Sequence, residues 1–319
     1  MLEVLQERNF PVTTLYAVAS ERSVGKQVEF KGKKHAVIGL QTAVDLKPDI
    51  AIFSAGGSTS REWAPKFAEA GTIVVDNSSA WRMDPTKKLI VPEINAGELE
   101  AKDRIIANPN CSTIQMLVAL NPIYRAVGIE RINVATYQAV SGAGRELVED
   151  LANQTALLLN GRPLGDMTTP KQIAFNVLPQ IDVWEDNGYS REEMKMVWET
   201  RKILDDPSIQ VNPTAVRVPV FFGHSEAVHI ETCDKITAAQ ARDLLAAAPG
   251  IVVLDSTGPG GYPTPVTEAA GTDPVYVGRI REDISHPRGL DLWVVADNVR
   301  KGAALNSVQI AELLVKDYL

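Results

Sequence analysis

The sequence predicts two domains, an α/β unit built on a doubly wound parallel sheet and an α+β unit built on a mixed sheet. Three observations carry this. The 319 residues exceed what one ordinary domain holds. Residues 49–76 alternate apolar strand, glycine turn, helix, glycine and apolar strand, which is one βαβ unit. Beyond residue 130 the candidate strands lengthen, and two of them lie close together in the chain, as in a hairpin.

Taken in order, Leu2, Val4 and Leu5 are spaced for a helix that Asn9-Phe10-Pro11 ends. Leu15–Ala19 reads as a buried strand. Asp49–Ser54 is a second strand, opening through Gly56 and Gly57 into a helix over Ser60–Ala70 with Trp63, Ala64, Phe67 and Ala68 on one face. Gly71 stops that helix and Thr72–Asp76 is the next strand. Its uninterrupted apolar character suits a sheet covered on both faces. Arg104–Ala107 is a strand and Thr113–Ala126 a helix that Gly128 ends. In the second half Arg131–Val140, Val216–Phe221 and Glu226–Glu231 are strand candidates, the last two read as hairpin partners. Ser190, three residues before Glu193, opens a helix to Leu204 with a capping box. Thr257–Pro274 is a Gly/Pro-rich ordered loop, and Leu305–Tyr318 is a closing helix.

Composition excludes several classes. With 45% apolar and 23% charged residues, the chain is neither disordered nor collagenous. A net charge of −8 argues against nucleic acid or an anionic membrane as partner. No apolar run approaches the ~20 residues that cross a bilayer. The two cysteines, Cys111 and Cys233, have no metal-site spacing, so no metal is expected. Isolated cysteines and a start without a secretory pattern fit a reducing cytoplasm.

Cys111 is the leading chemical group. It sits in Asn108-Pro109-Asn110-Cys111-Ser112-Thr113, where a strand turns into a helix. Unpaired N–H groups and the helix dipole at such a place favour thiolate. Cys233, inside a strand pattern, reads as structural. Of the four histidines His224 ranks first as a partner for Cys111, because it follows Gly223 at a strand end, where a turn would expose it. A cysteine–histidine pair suits acyl transfer or thiohemiacetal chemistry. Glu192 and Lys195 share a helix face, the default for which is a solvated pair. Arg82 lies on the C-terminal side of the parallel strands, where α/β ligands bind. Glu21 and Arg22 follow the Leu15–Ala19 strand. An acid there selects NAD and an arginine NADP, so the pair points both ways.

These residues fall in blocks that resemble the aspartate-semialdehyde dehydrogenase family along nearly the whole chain. The blocks are Phe53–Ser58, Asp76–Met83, Asn108–Thr113, Gln138–Gly144 and Arg217–Glu226, supported by Asn187–Lys195 and Ala296–Ala304. The resemblance implies a Rossmann-type NADP-binding domain over 1–111 with the C-terminal helix 299–319, and a catalytic and dimerisation domain over 112–298. It implies Cys111 as acyl-thioester nucleophile and His224 as general acid/base. Asn110, Gln138, Glu192 and Arg217 would bind the amino-acid substrate. Arg82 and Lys195 would bind phosphate. Arg22, Ser23, Gly56, Ser141, Gly142 and Asn298 would meet NADP. The implied reaction is reductive dephosphorylation of β-aspartyl phosphate to aspartate semialdehyde, on the way to lysine, threonine and methionine, in a homodimer or homotetramer.

One departure is expected to matter. Family members begin with a strand and a glycine loop, whereas this chain begins in the following helix, so roughly fifteen residues, a strand plus a turn, are expected upstream of Met1. N-acetyl-γ-glutamyl-phosphate reductase is the nearest enzyme alternative, and a non-catalytic binding homologue is the alternative of another class. A cysteine hydrolase would leave the βαβ units without a role.

Overall fold

The computed structural model describes residues 1–319. The chain divides into two compact units, Met1–Pro109 with Ala303–Leu319, and Asn110–Gly302.

The first unit opens with helix α1 (Leu2–Glu7), strand β1 (Ala17–Val18), the hairpin β2 (Gln27–Phe30) and β3 (Lys33–Ile38), and helix α2 (Leu40–Asp45). The segment expected as one buried strand over Leu15–Ala19 pairs only through Ala17 and Val18, parallel to β3, and Val18 is exposed. The basic Lys31–Lys34 stretch is the turn of the hairpin and the start of β3, which places His35 on β3. Then follow β4 (Ile50–Phe53), α3 (Gly57–Glu69), β5 (Ile73–Asp76), β6 (Lys88–Leu89), α4 (Pro92–Asn95) and β7 (Ile105–Ala107). The latter strands form an all-parallel sheet in the order β4-β5-β7-β6, and β1-β3-β2 form a separate small sheet. Both faces of the parallel sheet are covered, which is why its strands are apolar without alternation. Ala64 and Phe67 of α3 pack with Phe53, Val74 and Ile105 on one face. Ile310 and Leu314 of the C-terminal helix Leu305–Asp317 pack with Ile73, Val75 and Ile106 on the other.

The second unit runs through helix α5 (Cys111–Val127), strand β8 (Ile129–Gln138), helices α6 (Arg145–Leu159) and α7 (Arg191–Leu204), and strands β9 (Gln210–Arg217) and β10 (His224–Thr232). Helix α8 (Ala238–Ala247) and strands β11 (Ile251–Val253), β12 (Val275–Glu282) and β13 (Gly289–Ala296) complete it. The sheet order is β11-β12-β13-β10-β8-β9, with β8–β9 and β11–β12 parallel and the other pairs antiparallel. Helix α5 is apolar on most sides and lies over β8, β10, β12 and β13, flanked by α7 and α8.

The expected hairpin between β9 and β10 does not form. Strand β8 lies between them, parallel to β9 and antiparallel to β10. The Val218–Gly223 connection instead crosses the end of β8, where Val218 N–H donates to the Gln138 carbonyl (3.0 Å) and Val140 N–H to the Val220 carbonyl (2.9 Å). A short link between two strand patterns resembles a hairpin in sequence whether or not a third strand is inserted. This crossing brings Gln138, Arg217 and His224, the ends of three strands, to one edge of the sheet. No helix is long and apolar enough to cross a membrane, and no cluster of His, Cys, Asp or Glu has the makings of a metal site.

Candidate active site

Cys111 is the first residue of α5, partly exposed. Asn110 caps the helix, its Oδ1 accepting from Ser112 N–H (3.0 Å) and Thr113 N–H (3.3 Å), a contribution of about 1 kcal/mol. The remaining N–H groups and the dipole of a 17-residue helix then bear on the thiol. Gly302 lies against it so closely that a Cβ there would fall 2.5 Å from the Cys111 Cβ, so only glycine lets the backbone pass.

Helix α7 supplies the charged wall. Ser190 and Glu193 form the expected capping box. Glu192 is buried, not solvated: its Oε1 accepts from Asn110 Nδ2 (2.9 Å) and Gln138 Nε2 (3.1 Å), and its Oε2 from Lys195 Nζ (3.0 Å). Burial alone would raise this carboxyl, but the Lys195 charge and the three donors outweigh it and hold it at about 2. Lys195 lies between Glu192 and Asp182 (2.9 Å), and its pKa is raised because those two carboxylates outweigh its own burial. Gln138 also donates to Ser112 Oγ (2.5 Å).

Arg217 and His224 stand at the crossing. Arg217 is buried, donates from Nη1 to the Ala139 carbonyl (2.7 Å), and has a lowered pKa because of burial, opposed by Glu192 and Cys111. His224 is fully buried rather than turn-exposed, because the connection folds under the Val140–Ala143 turn instead of projecting. Its Nδ1 accepts from Ala139 N–H (3.0 Å). A nitrogen that accepts carries no proton, so the neutral ring is the Nε2–H tautomer, assigned from this bond. Burial first, then the Arg217 charge, lowers the imidazole to about 3, against opposing effects of Glu192 and the Gly223 backbone. Gly142 faces both groups: a Cβ there would sit 3.3 Å from Arg217 Nη1 and from His224 Nε2. Ser141 Oγ is bonded to Asn298 (3.0 Å to Nδ2), whose Oδ1 also accepts from Gly223 N–H (3.0 Å).

The second unit thus gathers Asn110, Cys111, Gln138, Ser141, Gly142, Glu192, Lys195, Arg217, His224 and Asn298. The other expected residues belong to the first unit. Arg82 is buried and donates to the Asn77 carbonyl (2.9 Å) in the loop after β5. Arg22 and Ser23 lie in a short helical turn after β1, Arg22 exposed. Gly56, at φ +83°, makes the turn from β4 into α3.

Four contributors were not anticipated. Glu199, buried, accepts the Asn110 N–H (2.6 Å). Its spacing of seven residues from Glu192 puts both on one helix face, a signal present in the sequence. Ser112, Asp182 and Gly302 carry no local signal. Cys233, expected to be structural, is exposed just beyond the end of β10.

Comparison with known proteins gives the family. Residues 1–102 match the family model described as semialdehyde dehydrogenase, NAD binding domain, and residues 120–301 the one described as semialdehyde dehydrogenase, dimerisation domain. An aspartate-semialdehyde dehydrogenase of Legionella pneumophila is 59% identical, over 100% of this chain and 92% of that protein. One of Bacillus subtilis is 48% identical, over 99% and 93% respectively. The crystal structure of aspartate semialdehyde dehydrogenase II from Vibrio cholerae superposes with a TM-score of 0.96 at 59% identity, covering 100% of this chain and 95% of that one. The same enzyme is known complexed with ASA, again at a TM-score of 0.96 and 59% identity, covering 100% and 94%. With family models over residues 1–102 and 120–301 and a 59% identical relative over the whole chain, this protein belongs to the aspartate-semialdehyde dehydrogenase family.

Proposed function

We propose that the chain catalyses reductive dephosphorylation of β-aspartyl phosphate to L-aspartate 4-semialdehyde, through a thioester on Cys111, using NADPH. The observation that carries this reading is the convergence, in one unit, of a helix-start thiol with a neutral histidine, a buried arginine and a buried ionised glutamate. Cys111 thiolate attacks the acyl carbon and expels phosphate. Arg217 takes the substrate α-carboxylate, and Glu192 supplies negative charge for its α-ammonium. Asn110 orients the acyl group with its second amide N–H, and Gln138 with an N–H that it releases from Ser112 or Glu192. His224 presents Nε2–H to the acyl oxygen and handles the proton as the thiohemiacetal forms and collapses. Lys195 receives phosphate, which must compete with Asp182 for its ammonium.

The residues fit a nicotinamide dinucleotide. Arg22 and Ser23 offer donors for a 2′-phosphate, while the Glu21 carboxylate lies against Gly39, where a Cβ would meet it at 2.7 Å. Gly56 opens the N-terminus of α3, and Ser141, Gly142 and Asn298 line the His224 side. When bound, the reduced cofactor supplies the hydride that lowers the acyl group to the aldehyde. The first unit, with the C-terminal helix, is the dinucleotide domain in this reading, and the second is the catalytic one. The second unit also makes a homodimer or homotetramer. A reducing cytoplasm keeps Cys111 a thiol.

N-acetyl-γ-glutamyl phosphate is disfavoured as substrate, since its acylated nitrogen gives Glu192 no cation to meet. The test is phosphate-dependent NADP reduction with aspartate semialdehyde. Cys111→Ala is expected to lose at least about a thousandfold in kcat, and wild-type rates in that variant would refute the assignment.

A further inference from the structure

Beneath His224 lies a polar cluster that the reaction above does not use. Glu226 is two residues beyond His224 on β10 and therefore on the same sheet face. Across the sheet it stands opposite Thr136 of β8 and Val294 of β13. Helix α5 covers this face. Glu226, Thr136 and Gln115 of α5 are fully buried. Neither Glu226 oxygen forms a well-aligned hydrogen bond, and the same holds for Gln115 Oε1 and Thr136 Oγ1. Gln115 Nε2 does donate, to the His224 carbonyl (3.4 Å).

An ionised carboxylate here would lie in a buried, largely apolar sheet face with no aligned donor for either oxygen, its own solvation lost for little in return. One proton removes the conflict: a neutral acid is a donor, and Gln115 Oε1 is an acceptor in want of one. Burial indeed pushes the Glu226 carboxyl well above its usual range, with Gln115 opposing in part.

We propose that Glu226 is a positioning residue for His224, donating its acid O–H to Gln115 Oε1 while Gln115 Nε2 donates to the His224 carbonyl. Thr136 Oγ1, across the strand pair, is the donor placed for the second oxygen of the acid. The relay fixes the first residue of β10 from below, while Ala139 N–H fixes the ring from the side. It rests on the assignment of the proton chemistry to His224.

The test uses the full chain. An infrared difference spectrum, wild type minus Glu226→Gln at neutral pH, is expected to show the carbonyl stretch of a protonated carboxyl. Absence of that band overturns the proposal whatever the activity. Glu226→Leu, similar in volume but without a donor, is expected to lose about tenfold in kcat, with KM for aspartate semialdehyde and for phosphate within about twofold. Glu226→Gln keeps a donor and is expected to stay within about threefold of wild-type kcat. A leucine variant of unchanged kcat, or a glutamine variant as impaired as the leucine one, overturns the relay. Should Glu226→Leu fail to fold, Gln115→Leu bears the same expectation, and full kcat there overturns it. A His224→Asn protein of full activity would instead remove the histidine assignment, and the infrared band is independent of that outcome.

Discussion

Glu192, in the first turn of α7, and Glu226, in the middle of the large sheet, are both withdrawn from water, yet the pKa of the first is lowered and that of the second raised. Glu192 meets an ammonium and two amide donors and stays ionised. Glu226 has no aligned donor for either oxygen, and burial drives it toward its neutral form. Depth therefore does not set charge in this unit; the donors within reach do. The difference divides the labour, one carboxylate offering charge to a cationic substrate group and one acid offering a proton to a neighbouring amide.

Taking away the cation should make the first glutamate resemble the second. Lys195→Met is expected to cost about 3–5 kcal/mol in urea unfolding at pH 7, toward the lower end because the ammonium is partly exposed. Adding Glu192→Gln to that variant is expected to recover most of the loss, and a double variant no more stable than Lys195→Met would deny that the stranded charge is the cause. Acid separates the two groups next. The Glu192 carboxyl is depressed from 4.5 to about 2, so its contribution is complete above the unfolded value and lost as pH falls toward 2. That amounts to about 3 kcal/mol, and Glu192→Gln should show a correspondingly flatter acid limb. The Glu226 effect has the opposite sign. Glu226 must take up a proton to fold at neutral pH, a cost that disappears as pH falls into the ordinary glutamate range. Glu226→Gln is expected to raise Tm at pH 8 and not at pH 4.5, as followed by calorimetry. An equal rise at both would break the contrast.

Local grammar made part of this legible. The strand-to-helix turn around Asn110 and Cys111, the capping box at Ser190 and the βαβ unit depend on neighbours a few residues away, so the sequence displays them. Burial of Glu192 against Lys195 was not legible, because an i,i+3 spacing is the same on a wet face and a dry one. The order of β8, β9 and β10 was not legible either, since nothing near residues 216–231 records a strand inserted from residue 129 onward. From that single unseen insertion follow both the misplaced hairpin and the expectation that His224 would be exposed. Cys233 failed for a smaller reason, lying one residue past the end of a strand whose pattern continues through it.

The crossing at the end of β8 also bears on how the protein is made. Arg217 and Ala139, 78 residues apart in the chain, are joined there, and backbone bonds from Val140, Ser141 and Val218 stitch the same spot. Closing so large a loop is slow and has no partial reward, so the catalytic edge is among the last parts of the unit to acquire its shape. Returning activity during refolding is then a clock for completion of the whole sheet. The amides of those three residues should exchange with deuterium as one cooperative block.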